Sequence, residues 1–259
     1  KPRLFRLRKD AAIINRMGFN NDGMEAAATR LARRSHAHPV PVGLNLGANK
    51  NSDDRPEDYV KVFAACGPHV DFVTVNVSSP NTERLRDLQG SDALRALLAR
   101  VIDHREDMDK YTPIFLKISP DLGDDEIEAI AAIAREVRLD GIIATNTTIQ
   151  RKGVKDRNRK EQGGLSGPPL FEKSTRVLAK LSALTQGHLP LIGVGGIDSV
   201  ETAYAKIQAG AGAVQLYTGL VYHGLSLVDE IVRGLEERLK ADGFSHISEA
   251  VGSKRGDWL

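Results

Sequence analysis

The chain has 259 residues, 41% hydrophobic and 27% charged, enough to bury a large core and suited to one large α/β domain or two small ones. Lys and Arg number 36 against 34 Asp and Glu, and a net charge of +2 argues against a nucleic-acid partner. The single cysteine, Cys66, excludes an intramolecular disulfide framework and reads as a small core residue, and no apolar run approaches the roughly 20 residues of a membrane-spanning helix.

Residues 1–23 show little periodicity and include the polar loop Asn15-Arg16-Met17-Gly18-Phe19-Asn20-Asn21; a helix is expected from about Met24 to Arg34. A regular alternation then begins. Pro41 to Leu46 reads as a strand, Pro56 to Ala65 as a helix, Asp71 to Val77 as a strand, Asp92 to His104 as a helix and Pro113 to Ile118 as a strand. The helix Asp124 to Val137 brings Ile127, Ile130, Ala134 and Val137 to one face at spacings of three and four. After the strand Gly141 to Thr145 comes a long polar connection, Gln150 to Pro169, with Arg151, Lys152, Lys155, Arg157, Arg159 and Lys160 near its start. A solvated loop accounts for those charges, while such length in a compact domain marks a lid or binding loop. Helix Lys173 to Leu184, strand Pro190 to Val194, helix Val200 to Ala209 and strand Ala213 to Tyr217 follow. The last long helix, Leu225 to Lys240, is expected to turn Val228, Ile231, Val232, Leu235 and Leu239 inward.

Short apolar strands alternating with helices are the signature of a parallel sheet covered by helices. A doubly wound sheet and a (β/α)₈ TIM barrel both fit. The barrel is favoured, because nearly every strand finishes in polar or glycine residues, as a closed rim requires. The chain supplies about six βα units of it, in one domain over residues 1–259 without an internal linker, and about two strands are expected upstream of Lys1.

Three strands place an asparagine at or near the carboxyl end, Asn45, Asn76 and Asn146, although asparagine is disfavoured in strands. An amide both donates and accepts, so a ring of them suits a ligand that alternates C=O with N–H, such as a pyrimidine or flavin; capping of turns is the simpler role for each alone. The stretch Thr74 to Gly90 runs from strand into Asn76, Ser78, Ser79, Pro80, Asn81 and Thr82, either a Ser/Asn/Pro turn or a site. Lys117 lies inside the apolar run IFLKI and needs an anionic partner, a buried carboxylate or a flavin that becomes negatively charged when reduced. The glycines of Gly163-Gly164-Leu165-Ser166-Gly167, Gly193-Val194-Gly195-Gly196 and Tyr217-Thr218-Gly219 stand where backbone N–H groups cradle phosphates in barrels. Asp198 occupies the third glycine's place, so a dinucleotide fingerprint is poorly matched. The histidines show no metal-ligand spacing; His36-Ala37-His38 reads as surface, and no metal is expected.

Asn15-Arg16-Met17-Gly18-Phe19-Asn20, Gly43-Leu44-Asn45-Leu46-Gly47, Asn76-Val77-Ser78-Ser79-Pro80-Asn81-Thr82, Thr145-Asn146-Thr147-Thr148, Gly163-Gly164-Leu165-Ser166-Gly167, Gly193-Val194-Gly195-Gly196 and Gln215-Leu216-Tyr217-Thr218 together resemble dihydroorotate dehydrogenase of the membrane-associated, quinone-linked class. The resemblance runs through essentially the whole chain. It implies a (β/α)₈ barrel with FMN at the carboxyl rim, oxidising dihydroorotate to orotate in pyrimidine synthesis, with a quinone as final acceptor. It further implies Ser79 as catalytic base, taking a C5 proton while hydride leaves C6 for the flavin. Asn15, Arg16, Met17, Gly18, Phe19, Asn76, Asn81, Asn146 and Thr147 fall on substrate-holding positions. Asn45, Asn76, Lys117, Thr145, Ser166, Gly167, Gly196, Tyr217 and Thr218 fall on FMN-holding ones. The family's first two barrel strands and the helices that form its membrane and quinone entrance precede Lys1, so peripheral membrane contact, at a bacterial or mitochondrial inner membrane, is expected through that segment. A monomer is expected. A phosphosugar-handling barrel without redox chemistry accounts for the glycines but leaves Ser79 and the asparagines without roles.

Overall fold

A computed structural model describes residues 1–34, 40–49, 51–80 and 85–259. The chain opens with an antiparallel hairpin, β1 (Leu4–Leu7) and β2 (Ala12–Asn15), followed by α1 (Met24–Ala32). Three strand-helix units come next: β3 (Gly43–Leu46) with α2 (Arg55–Cys66), β4 (Phe72–Asn76) with α3 (Ser91–Glu106), and β5 (Ile114–Ile118) with α4 (Asp124–Glu136). Then come β6 (Gly141–Ala144), β7 (Gly164–Ser166), α5 (Phe171–Leu184), β8 (Leu191–Val194), α6 (Val200–Ala209), β9 (Ala213–Gln215), α7 (Thr218–His223), α8 (Ser226–Ala241) and α9 (Ile247–Ala250). Local chemistry starts several helices: Asp54 accepts from the Glu57 N–H ahead of Pro56 in α2, and Ser199 accepts from the Thr202 N–H at α6.

The larger sheet has six strands in the order β3-β4-β5-β6-β8-β9, every pair parallel. That order follows the chain without reversal. A doubly wound sheet reverses order at a switch point, whereas a barrel adds each strand beside the last. The architecture is therefore a curled part of a (β/α)₈ barrel, with helices packed on its outer face.

Strand alternation divides the side chains. On β5, Ile114, Leu116 and Ile118 are buried against the helices with Val73, Val75, Leu97 and Ile130, while Phe115 and Lys117 face inward. Deep in the interior Phe72 and Phe115 meet edge to face at 5.6 Å, and glycines stand beside them. A Cβ at Gly43 would lie 2.2 Å from the Phe72 ring, and one at Gly141 would lie 2.6 Å from both the Phe115 ring and the Pro190 carbonyl oxygen. Two large rings fill the barrel because their register neighbours have no side chain. Cys66 is buried, as its composition suggested.

Two expectations need correction. Residues 1–23 and the connection 150–169 are not merely loops: β1, β2 and β7 form a three-stranded antiparallel sheet, with Ile13 opposite Ser166 and Ile14 opposite Leu165. Strands of three and four residues carry too little alternation to register, and their partners lie about 150 residues apart. Helix α8 buries the stripe Leu227, Ile231, Leu235 and Leu239 at spacings of four, whereas Val228 and Val232 are 46% and 62% exposed. Those two valines sit one residue, about 100°, around the helix from the stripe.

Gly141→Ala is expected to lower stability by about 1–3 kcal/mol through overpacking against Phe115 and the backbone of Pro190, read as a lower urea midpoint with an unchanged slope.

Candidate active site

Parallel strands deliver their carboxyl ends to one rim. Register places Asn76 of β4 directly beside Lys117 of β5, on the same inward face. One strand earlier Asn45 reaches across, and its Oδ1 accepts from Asn76 Nδ2 at 2.9 Å. Asn76 Oδ1 in turn accepts from the Ser78 N–H, from Ser78 Oγ at 3.0 Å and from Asn146 Nδ2 at 3.3 Å. Asn146 Nδ2 also donates to Ser78 Oγ, and its Oδ1 receives the Thr147 N–H at 2.8 Å. The structure thus joins the three asparagines into one amide row. Below it the phenol of Tyr59, fully buried, donates to the Asn76 carbonyl at 2.9 Å and fixes the end of β4.

Ser78 and Ser79 are both buried. The Ser78 hydroxyl is committed within the amide row, donating to Asn76 and accepting from Asn146. Asn81 lies outside the described residues, as do His36 and His38.

Asn15, Lys117, Thr145, Asn146, Thr147, Ser166, Gly167, Gly196, Tyr217 and Thr218 all line one cavity at the rim, and Asn45 and Asn76 adjoin it through Asn146. Among the described residues no carboxylate or hydrogen-bond acceptor reaches the Lys117 ammonium, and burial alone pulls its pKa below the ordinary lysine value. An ammonium half-sunk in the cavity wall without a counter-charge is a seat for an anion. At the other end, Gly195 and Gly196 take φ of 113° and 76°, and a Cβ at Gly196 would lie 2.5 Å from Phe171 Cβ. Only glycine fits that turn, which leaves its backbone facing the cavity. A Cβ at Gly167 (φ 102°) would lie 2.9 Å from the Ala11 carbonyl oxygen, and Thr218 Oγ1 donates to Ser166 Oγ at 2.8 Å, tying the two loops of that end together. The donor set suits a flat ligand with alternating polar edges, a negative charge by Lys117 and a phosphate end.

Arg16 and Met17 are not among the cavity-lining residues. Arg16 pairs with Glu161 at 2.9 Å and stacks 4.5 Å over the Phe5 ring, and Met17 is 40% exposed. Gly18 and Phe19 both adopt left-handed conformations, and the Phe19 ring lies across Gly47 beside β3.

A cluster that sequence reasoning missed braces the loops. Arg86 donates from Nε to the Ser78 carbonyl and from Nη2 to the Thr147 carbonyl, both at 3.3 Å, and its Nη1 pairs with Asp121 at 3.2 Å. Asp121 also holds Lys173 at 2.7 Å, the Thr148 hydroxyl and the Ile149 N–H. One guanidinium therefore stitches the loop after β4 to the loop after β6. Burial raises the Asp121 pKa, but hydrogen bonds from Lys173, Thr148 and Ile149 outweigh it and hold the carboxyl below its usual 3.8. The available signal was position: Asp121 follows β5 at the carboxyl end, where the asparagines also stand.

The dihydroorotate dehydrogenase family model matches residues 1–239. The chain belongs to the dihydroorotate dehydrogenase family. It is 60% identical over 259 residues to the dihydroorotate dehydrogenase (quinone) of Cereibacter sphaeroides (strain KD131 / KCTC 12085), covering all of this chain and 73% of that relative. To the enzyme of the same name from Brucella anthropi it is 50% identical over 263 residues, covering all of this chain and 72% of the relative. Among solved structures, a DHODH from Eimeria tenella in complex with ferulenol superposes with a TM-score of 0.93 at 36% identity, over 97% of this chain and 74% of that one.

Asp121→Asn is expected to cost about 2 kcal/mol at pH 7, between the values of exposed and buried pairs. Because the folded carboxyl sits below 3.8, its contribution is present above that value and is lost as pH falls through its folded pKa. Denaturant melts of wild type and variant should therefore converge in acid.

Proposed function

We propose that this protein oxidises dihydroorotate to orotate in pyrimidine biosynthesis, passing hydride to a flavin and then electrons to a quinone. One observation carries the reading: a row of three asparagine amides lies beside an unbalanced Lys117 ammonium, in a chain 60% identical along its whole length to a quinone-linked dihydroorotate dehydrogenase. FMN is the flavin we assign. The fit rests on Lys117, whose charge lacks a partner among the described residues, and on the Gly195-Gly196 turn, which a side chain would block. Asn45, Asn76, Lys117, Thr145, Ser166, Gly167, Gly196, Tyr217 and Thr218 would hold it, and when bound it supplies the hydride acceptor.

In this reading Asn15, Gly18, Phe19, Asn76, Asn81, Asn146 and Thr147 hold the substrate, and Ser79 takes the C5 proton. The place of Ser79 within Asn76-Val77-Ser78-Ser79-Pro80-Asn81-Thr82, the motif shared with the family, is what assigns the base to it and not to Ser78. A serine hydroxyl is a weak base, so the amide row has a second task, stabilising the enolate that develops as the proton leaves. Arg86 serves that task indirectly, by holding the carbonyls of Ser78 and Thr147 in place. The protein acts as a monomer with peripheral membrane contact; no helix among the described residues is long and apolar enough to cross a bilayer.

Purified full polypeptide is expected to be yellow, to bleach when dihydroorotate is added without oxygen, and to recolour with a quinone. Flavin-bearing protein that does not bleach overturns the reading. Ser79→Ala is expected to keep its flavin absorbance and to lose at least about 100-fold in kcat near neutral pH, the lower range for a general base; unchanged turnover would move the base elsewhere.

A further inference from the structure

Lys206 on α6 is fully buried, yet no carboxylate among the described residues pairs with it. Its Nζ donates to Ser174 Oγ at 2.6 Å and lies 5.3 Å over the Phe171 ring. Burial holds its pKa well below the ordinary lysine value, with no opposing charge. Ser174 Oγ in turn lies 2.9 Å from the Leu170 carbonyl oxygen, 3.0 Å from that of Phe171 and 3.1 Å from that of Gly195. A hydroxyl with carbonyls on three sides must give its one proton to a carbonyl, so its oxygen is left to accept from Lys206. The chain of contacts ends at the glycine turn: Gly195 and Gly196 line the cavity, and Phe171, the ring over which Lys206 sits, is the residue that forbids a side chain at Gly196. Beneath the turn, a Cβ at Gly193 would lie 3.2 Å from Lys206 Cβ, so the lysine stem is packed directly under β8.

A buried ammonium without an anion costs several kcal/mol relative to an apolar side chain of the same size. A plug for the space behind β8 would not need a charge. We propose that Lys206 is a positioning residue for a phosphate ester bound on the cavity side of the Gly195-Gly196 turn: it holds the turn through Ser174 and sets an amine behind it that carries a positive charge once the phosphate is bound. The lysine does not touch the ligand; it acts through the turn and through the low dielectric of the interior. This inference rests on the reading of the cavity as a flavin nucleotide site.

The test compares FMN with riboflavin, which lacks the phosphate, by quenching of flavin fluorescence on titration with flavin-stripped full polypeptide. For Lys206→Met the ratio of the FMN Kd to the riboflavin Kd is expected to rise about tenfold, while the thermal midpoint of the flavin-free variant equals or exceeds that of wild type, because a basic group buried without an anion has been removed. Ser174→Ala, which keeps the lysine stem packed, is expected to shift the ratio in the same direction and serves if the Met variant does not fold. Wild type that prefers FMN while both variants leave the ratio unchanged, or weaken both flavins equally, overturns the role of Lys206 alone. Wild type that binds neither flavin overturns the reading of the cavity, and the inference with it.

Discussion

An ammonium on the inner face of a barrel strand has to be balanced, and in this protein no described side chain balances Lys117. The constraint comes from register. Parallel pairing of β4 and β5 sets Lys117 beside Asn76, a neutral amide, where a carboxylate would have closed the charge internally. Asn76 is itself occupied, its oxygen taken by Ser78 and Asn146 and its amide nitrogen donating to Asn45. The charge is therefore directed at the cavity, and the rest of the rim can be understood as what must surround an anion held there.

Below the rim the barrel is closed by apolar matter. Phe72 and Phe115 pack edge to face over glycines on neighbouring strands, so the polar layer rests on a rigid floor. Above it, loops carry the chemistry, and loops are the least constrained part of a barrel. Arg86 and Asp121 correct that weakness by joining the loops after β4, β5 and β6 through carbonyls and a shared carboxylate. Ser174 and Lys206 do the same for the glycine turn after β8. In both cases a basic side chain one layer back fixes backbone groups, and among the described residues that line the cavity Lys117 is the one charged group. Support by a second layer is what keeps binding groups within a fraction of an ångström of the geometry they need.

The small antiparallel sheet closes the same rim from outside the barrel. Leu7, Ala12, Ile14, Val154 and Leu165 form its own apolar cluster, and the opposite face presents Asn15 and Ser166 to the cavity. Tyr222 anchors it to the end of the barrel sheet by donating to the Ala12 carbonyl at 2.8 Å. The hairpin and the long basic connection are thus one unit, and Asp10, bonded to the N–H groups of Lys155 and Asp156, helps to seal it.

Much of this was legible in the linear chain. Strand-helix alternation, apolar strands and polar strand ends are local properties with fixed periods, so the parallel core could be read strand by strand, and the asparagines announced themselves as the wrong residue type for their positions. The family resemblance added roles to residues whose chemistry was already odd. What only the tertiary structure decided are relations between segments distant in sequence. That β7 pairs with β2, that Asn45, Asn76 and Asn146 share hydrogen bonds, that Lys117 has a neighbouring amide and, among the described residues, no carboxylate, and that Asp121 gathers Arg86, Lys173 and Thr148 all depend on register and packing across about 30 to 150 residues. Periodicity reports which face of an element is apolar, but not which element that face will meet.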